Sequence, residues 1–221
     1  MTKYTIGFVD EDPQEIRRYA NRLEPVGFKI IDYDIKKGLQ LDELLDRIYN
    51  SEIDMVMVDF LLNERGVLGF NGDRVIREFK KIKPDFPMII FTSKDRQAYP
   101  AVDDVNLIYD KARIRDDDAE LQRFITILSK NIEKYRNDIK QREDRIKELI
   151  AKREDGEELD SQEKSELYRL QFELSNLDQR TKETPDQLLV DLKLDQLSTT
   201  ADEAAELLRN LKKESDDKDG V

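Results

Sequence analysis

Apolar residues are distributed along this chain in two regimes. In the first half, short apolar runs alternate with segments in which apolar residues recur at helical spacing. The runs Thr5 to Val9, Lys29 to Ile35, Ile53 to Phe60, Pro87 to Thr92 and Val105 to Tyr109 predict five strands. The third, fourth and fifth are nearly continuous in apolar character, the pattern of central parallel strands covered on both faces. Between them, Pro13 to Leu23, Leu39 to Ile48 and Gly72 to Ile82 carry helical periodicity. A repeated strand-helix order predicts an α/β fold with a doubly wound, five-stranded parallel sheet, whose ligand chemistry sits at the carboxyl ends of the strands. The stretch from Thr92 to Val105 is short and broken by Pro100, so the fourth helix is expected to be short.

From about Asp117 glycine nearly disappears and charge rises. One helix is predicted from about Asp118 to Arg153, roughly 50 Å long at ~1.5 Å per residue, and it must project beyond the domain. Gly156 breaks it, and a second helix follows from about Ser161 to Arg180. On the long helix Leu121, Ile125, Leu128, Ile132, Tyr135, Ile139, Arg142, Ile146 and Leu149 alternate in steps of four and three. That is a heptad seam with isoleucine at each a position, a pairing that favours parallel two-stranded coiled coils. Leu167, Leu170, Leu174 and Leu177 form a matching stripe, so the same seam also suits an intramolecular hairpin, and both arrangements are compatible in a four-helix dimer. Two capping boxes, at Thr184 and Thr200, predict short terminal helices. The expected organisation is a domain over 1–118 whose last helix continues to about 130, a coiled coil or hairpin over 119–183, short helices over 184–213 and a disordered tail over 214–221.

Composition narrows the chemistry. The 221 residues include neither cysteine nor histidine, which removes disulfides, thiolate catalysis and imidazole metal sites. Residues 1–118 carry 19 basic and 24 acidic side chains and the remainder 19 and 26, so neither half presents the positive field of a nucleic-acid binder. No run approaches the ~20 apolar residues of a membrane span. A cytoplasmic protein is expected, with no nucleic-acid or membrane partner.

Each predicted carboxyl strand end carries a reactive or charged group: Asp10, Glu11 and Asp12 after the first strand, Asp59 ending the third, Thr92 and Ser93 ending the fourth, Lys111 after the fifth. Carboxylates gathered this closely repel one another unless a hard divalent cation bridges them, and magnesium prefers such an oxygen shell. A lysine and a hydroxyl beside the cation complete a cradle for phosphoryl oxygens, with Asp59 the nucleophile that forms an acyl phosphate. Asp12 also suits the N-cap of the first helix, ahead of Pro13, and Asp116 to Asp118 suit the N-terminus of the long one.

The stretches IGFVDED, IDMVMVDF, PMIIFTS and LIYDK resemble the receiver domains of two-component response regulators, over roughly residues 3 to 130. The resemblance implies that Asp59 is the phosphoacceptor and that Glu11, Asp59 and the Leu61 backbone carbonyl bind Mg2+, with Asp10 acting through a metal-bound water. It further implies that Thr92 follows the phosphoryl group, that Lys111 is its countercharge, and that the donor is a histidine kinase or phosphotransfer protein. Three positions depart from the family pattern: Ala112 stands where a proline usually follows the lysine, Ile108 occupies the aromatic switch position with Tyr109 beside it, and NERGVLGF lengthens the loop after Asp59. The helical half holds no phosphate loop, basic recognition helix or catalytic cluster. A non-enzymatic adaptor is therefore expected, signalling to a downstream protein partner and associating as a homodimer. A receiver-like scaffold that is never phosphorylated and a transcriptional regulator acting through the terminal helices are the alternatives.

Overall fold

A computed structural model describes residues 3–102 and 104–178. The terminal helices expected over 184–213 and the tail over 214–221 lie outside the described residues.

Five strands, β1 (Tyr4–Val9), β2 (Phe28–Asp32), β3 (Met55–Val58), β4 (Met88–Thr92) and β5 (Ile108–Asp110), form one parallel sheet in the order β2-β1-β3-β4-β5. This is the doubly wound, flavodoxin-like order. Between the strands run α1 (Pro13–Leu23), α2 (Leu41–Tyr49), α3 (Gly72–Ile82) and a single-turn α4 (Asp95–Ala98). After β5 come α5 (Lys111–Asp116), α6 (Asp118–Glu154) and α7 (Ser161–Asn176).

The strand period of two divides the core between two layers. Met55 and Met57 of β3, with Ile6, Phe8, Ile89 and Phe91, pack under α1 and α6 against Tyr19, Leu23, Phe124 and Leu128. Val56 and Val58, with Val9, Met88 and Ile90, face α2 and α3 through Leu44, Ile48, Val75 and Phe79. All four β3 side chains are buried, and each contributes about 1.5–3 kcal/mol. The central strands are β1, β3 and β4; β5 is last in the strand order and half-buried, which corrects its expected central position.

Helix termini follow local sequence. Asp12 caps α1 by accepting from the Gln14 amide, with Pro13 in the first turn. Asp117 caps α6 by accepting from the Ala119 and Glu120 amides, and so separates a short α5 from the long helix. Helix α6 runs unbroken from Asp118 past residue 130, and α5 is a separate short helix ahead of it. Helix α6 is 37 residues long, ~55 Å at 1.5 Å per residue. It rests on the sheet further than expected: Leu121, Phe124, Leu128 and Ile132 are buried in the core, and Glu133 and Arg136 pair with Lys3 and Asp54 beyond it.

The rest of α6 projects and meets α7 as an antiparallel hairpin. Arg142 pairs with Glu173 at 3.0 Å, Arg145 with Glu166 at 2.8 Å and Lys152 with Glu163 at 2.7 Å. Leu149, Leu159 and Leu167 form a small core between the helices. A capping box, in which Asp160 and Glu163 serve each other's backbone amides, starts α7. Beyond its end Asp178 accepts from the Tyr49 hydroxyl at 3.1 Å and pairs with Lys83 at 3.5 Å, bringing the return strand of the hairpin back to the ends of α2 and α3. Among the described residues no helix is long and apolar enough to cross a membrane.

Candidate functional site

Parallel strand order brings the ends of β1, β3, β4 and β5 to one edge of the sheet, and with them Asp10, Asp59, Thr92 and Lys111, the only buried polar or charged residues among those described. Lys111 opens α5 directly after β5, with Asp110 capping that helix through the Ala112 amide. Its Nζ donates to Asp10 Oδ2 at 2.6 Å and to Asp59 Oδ1 at 2.8 Å. The ammonium also lies 5.7 Å from the Phe8 ring centroid and 5.8 Å from that of Phe91, and the Tyr19 hydroxyl donates to the Lys111 carbonyl at 3.0 Å. Aromatic faces and a buried hydroxyl thus hold one cation between two carboxylates.

Backbone amides occupy the remaining carboxylate oxygens. Asp12 N–H donates to Asp10 Oδ1 at 2.8 Å, and Leu61 N–H donates to Asp59 Oδ2 at 2.9 Å. Thr92 Oγ1 accepts from the Lys94 amide at 3.1 Å. Gly72 fixes how close α3 comes: a Cβ there would lie 2.1 Å from the Asp59 carbonyl oxygen, so only glycine lets the helix start against this strand end.

Burial pushes the Asp10 carboxyl above the usual carboxylate range, against the pull of Lys111 and with the push of Asp59. Burial alone would lower the Lys111 ammonium, but Asp59 and Asp10 outweigh it and hold the group charged. Glu11 is raised to about 7, by burial first and then by Asp10 and Asp59. Its Oε2 is buried and accepts no hydrogen bond. Asp12 is held below the usual range, by the Gln14 amide first and then by Arg65.

These shifts set a pH dependence. Above the ordinary carboxylate range the native state holds a proton on Glu11 that the unfolded chain has already released. Its contribution to stability is therefore complete below the ordinary carboxylate range and is lost as pH rises through about 7. Thermal unfolding of the protein in chelator is expected to move to lower temperature between pH 5 and pH 8. A midpoint that rises over this interval would contradict the environment described for Glu11.

All the predicted site residues come to this edge. Among the described residues, however, no three carboxylates already form a cation cage: of the carboxylates expected around the ion, Asp10 and Asp59 turn toward Lys111. What sequence reasoning missed is Arg65, on the long loop between β3 and α3, whose Nη2 reaches Asp12 Oδ2 at 2.7 Å. The lengthened NERGVLGF stretch marked the loop without indicating where its arginine points.

No family model matches the chain, and no curated protein matches it. Among solved structures, it is similar to the response regulator protein TrrA of Thermotoga maritima in complex with Mg2+ and BeF, at 22% identity over 57% of this chain and 99% of that one, with a TM-score of 0.42. It is also similar to the signal receiver domain of an HD domain-containing protein from Pseudomonas fluorescens Pf-5, at 15% identity over 62% and 94% of the two chains and a TM-score of 0.47. A third is TrrA in complex with the histidine kinase ThkA, at 21% identity over 57% and 98% and a TM-score of 0.41.

Proposed function

We propose that the chain is a phosphorylation-controlled receiver protein in which Asp59 takes a phosphoryl group from a phosphohistidine of a partner kinase or phosphotransfer protein. The observation that carries this reading is the buried Lys111 ammonium shared by Asp10 and Asp59 at the carboxyl strand ends. A lysine sequestered this way is too costly to bury for stability alone. An Asp59 carboxylate oxygen attacks phosphorus, the bond from phosphorus to the imidazole nitrogen breaks, and the electron pair stays on the ring. The phosphoryl group adds about -1.5 to -2 charge. Lys111 and Thr92 are the groups beside it able to move toward that charge.

An all-oxygen donor set with one buried, unpartnered oxygen at Glu11 Oε2 fits a hard cation. Glu11, Asp59 and the Leu61 carbonyl would hold Mg2+, and Asp10 would act through a water. When bound, the ion supplies neutralisation of the charge gathered on the phosphoryl oxygens. The helical half then signals through protein contacts, without catalysis of its own and with a second copy of the chain among its partners. A two-helix hairpin buries only one stripe per helix, and Ile139, Ile146 and Ile150 stay partly exposed while Phe172 is 52% exposed.

The test is incorporation of label from acetyl phosphate. We expect acid-stable, base-labile labelling that requires magnesium and is abolished in Asp59→Ala. Magnesium should also flatten the loss of stability between pH 5 and pH 8. Equal labelling of the variant would place the acceptor elsewhere, and a parent that takes no label would favour a scaffold that is never phosphorylated.

A further inference from the structure

The loop between β3 and α3 is folded rather than slack. Leu62, Leu68 and Phe70 are buried, the Gly38 amide donates to the Val67 carbonyl at 3.2 Å, and the Asn63 amide donates to Asn71 Oδ1 at 3.3 Å. Gly66 turns the tip with a left-handed φ of 64°. These ties hold Arg65 where its guanidinium meets Asp12 at the end of β1. Asp12 uses Oδ1 to cap α1 and Oδ2 for Arg65. Its own amide donates to Asp10, Asp10 pairs with Lys111, and Lys111 pairs with Asp59. An unbroken series of polar contacts therefore runs from Arg65 to the proposed phosphoacceptor.

The Arg65 side chain is 56% exposed, and an ion pair that exposed adds little to stability. The apolar anchors and backbone bonds already hold the loop, so the pair is not needed to brace it. What the pair does is park a guanidinium beside an acidic pocket that a dianion must enter. Lys111 is already divided between two carboxylates. The planar fork of an arginine matches phosphoryl oxygens, and a dianion outcompetes a single carboxylate for it.

We propose that Arg65 is a phosphoryl-recognition residue, held on Asp12 at rest and transferred to the phosphoryl group of the incoming donor, with Asp12 as the competitor that sets donor affinity. The role rests on the phosphoacceptor reading of Asp59 and adds a group outside the strand-end set. It makes opposite predictions for the two partners. Arg65→Ala removes the recognising cation, whereas Asp12→Asn keeps the helix cap, since asparagine caps as well as aspartate, and releases Arg65 from its competitor.

The experiment is the initial rate of magnesium-supported labelling of the full chain against acetyl phosphate concentration, with thermal unfolding of each variant alongside. We expect Arg65→Ala to raise the half-saturating concentration about fivefold, the scale of one ordinary hydrogen bond lost at a solvent-exposed site, with the plateau rate within about twofold of the parent. Arg65→Lys should recover part of the loss, and Asp12→Asn should lower half-saturation below that of the parent. A parent without label overturns the phosphoacceptor reading and this role with it. A parent that labels while Arg65→Ala saturates at the same donor concentration overturns Arg65 alone. So does Asp12→Asn rising in parallel with Arg65→Ala, since that would make the pair a brace for the loop.

Discussion

Replacing Lys111 with methionine is expected to cost about 3 kcal/mol of stability at pH 7.5, the usual penalty for removing one partner of a buried ion pair. Asp10 is 3% exposed and Asp59 8%, and both direct an oxygen at the same ammonium. Methionine fills the space between Phe8 and Phe91 but leaves two buried carboxylates facing each other. For a domain of this size the midpoint of thermal unfolding should fall by about 6–12 °C. The sign of the pH effect follows from the charge left behind. Asp10 is already pushed up by burial, and loss of the lysine removes the cation that opposes the push. The native variant will therefore bind protons more tightly than its unfolded chain, and its deficit should shrink as pH is lowered from 7.5 to 5. Adding Asp59→Asn should recover part of the loss, because one of the two repelling charges is gone, and a double-mutant cycle measures that coupling. A deficit that stays the same at both pH values and in the double variant would mean that the lysine acts through packing alone.

Much of this site was legible before the fold was seen, and the reason is topological. A parallel sheet gathers the residues that follow each strand at one edge, so Asp10, Asp59, Thr92 and Lys111 needed only correct strand ends to be grouped. Those ends came from runs of apolar residues that the sheet buries on both faces, such as Met55 to Val58. The start of α1 was legible from a local signal: Asp12 with Pro13 marks where the helix begins. Two other features left no such trace. Helix α5 is six residues long, too short to show a period, so only the start of α6 near Asp118 was legible. Arg65 is placed by a loop whose shape depends on Leu62, Leu68 and Phe70 finding the core, a long-range outcome with no repeating pattern.

The helical half shows a different limit. A face that docks on a sheet and a seam that pairs with another helix use nearly the same spacing, so one stripe read as a continuous heptad in fact serves two surfaces. Its first part, through Ile132, completes the core layer under α1, and Tyr135 joins the opposite layer by meeting Phe86 edge to face at 5.5 Å. Its later part faces α7. Arg142, which interrupts the stripe in sequence, is where the hairpin needs a charge, because Glu173 stands opposite.

Ile132 and Ile139 share the a position of adjacent heptads, yet lysine at these two sites is expected to give opposite results. Ile132 is fully buried in the core layer that holds Tyr4, Phe28 and Leu128, so Ile132→Lys must either bury an ammonium without a partner or open the contact of α6 with the sheet. Either outcome costs upwards of about 4 kcal/mol, so the midpoint of thermal unfolding should fall by about 8 °C or more and Asp59 labelling should fall with the loss of folded protein. Ile139 is only half-buried, beyond the sheet and beside Tyr135 and Leu177, where a lysine can turn its ammonium to water. Ile139→Lys should therefore unfold within a few degrees of the parent and label normally, while weakening self-association by removing apolar surface twice in a symmetric dimer. Sedimentation over a range of concentrations, with labelling and thermal unfolding of the same samples, separates the cases. Normal folding and labelling of Ile132→Lys would show that α6 does not dock on the sheet as far as Ile132. An Ile139→Lys chain that associates as the parent does would remove this stretch of α6 from the contact between copies.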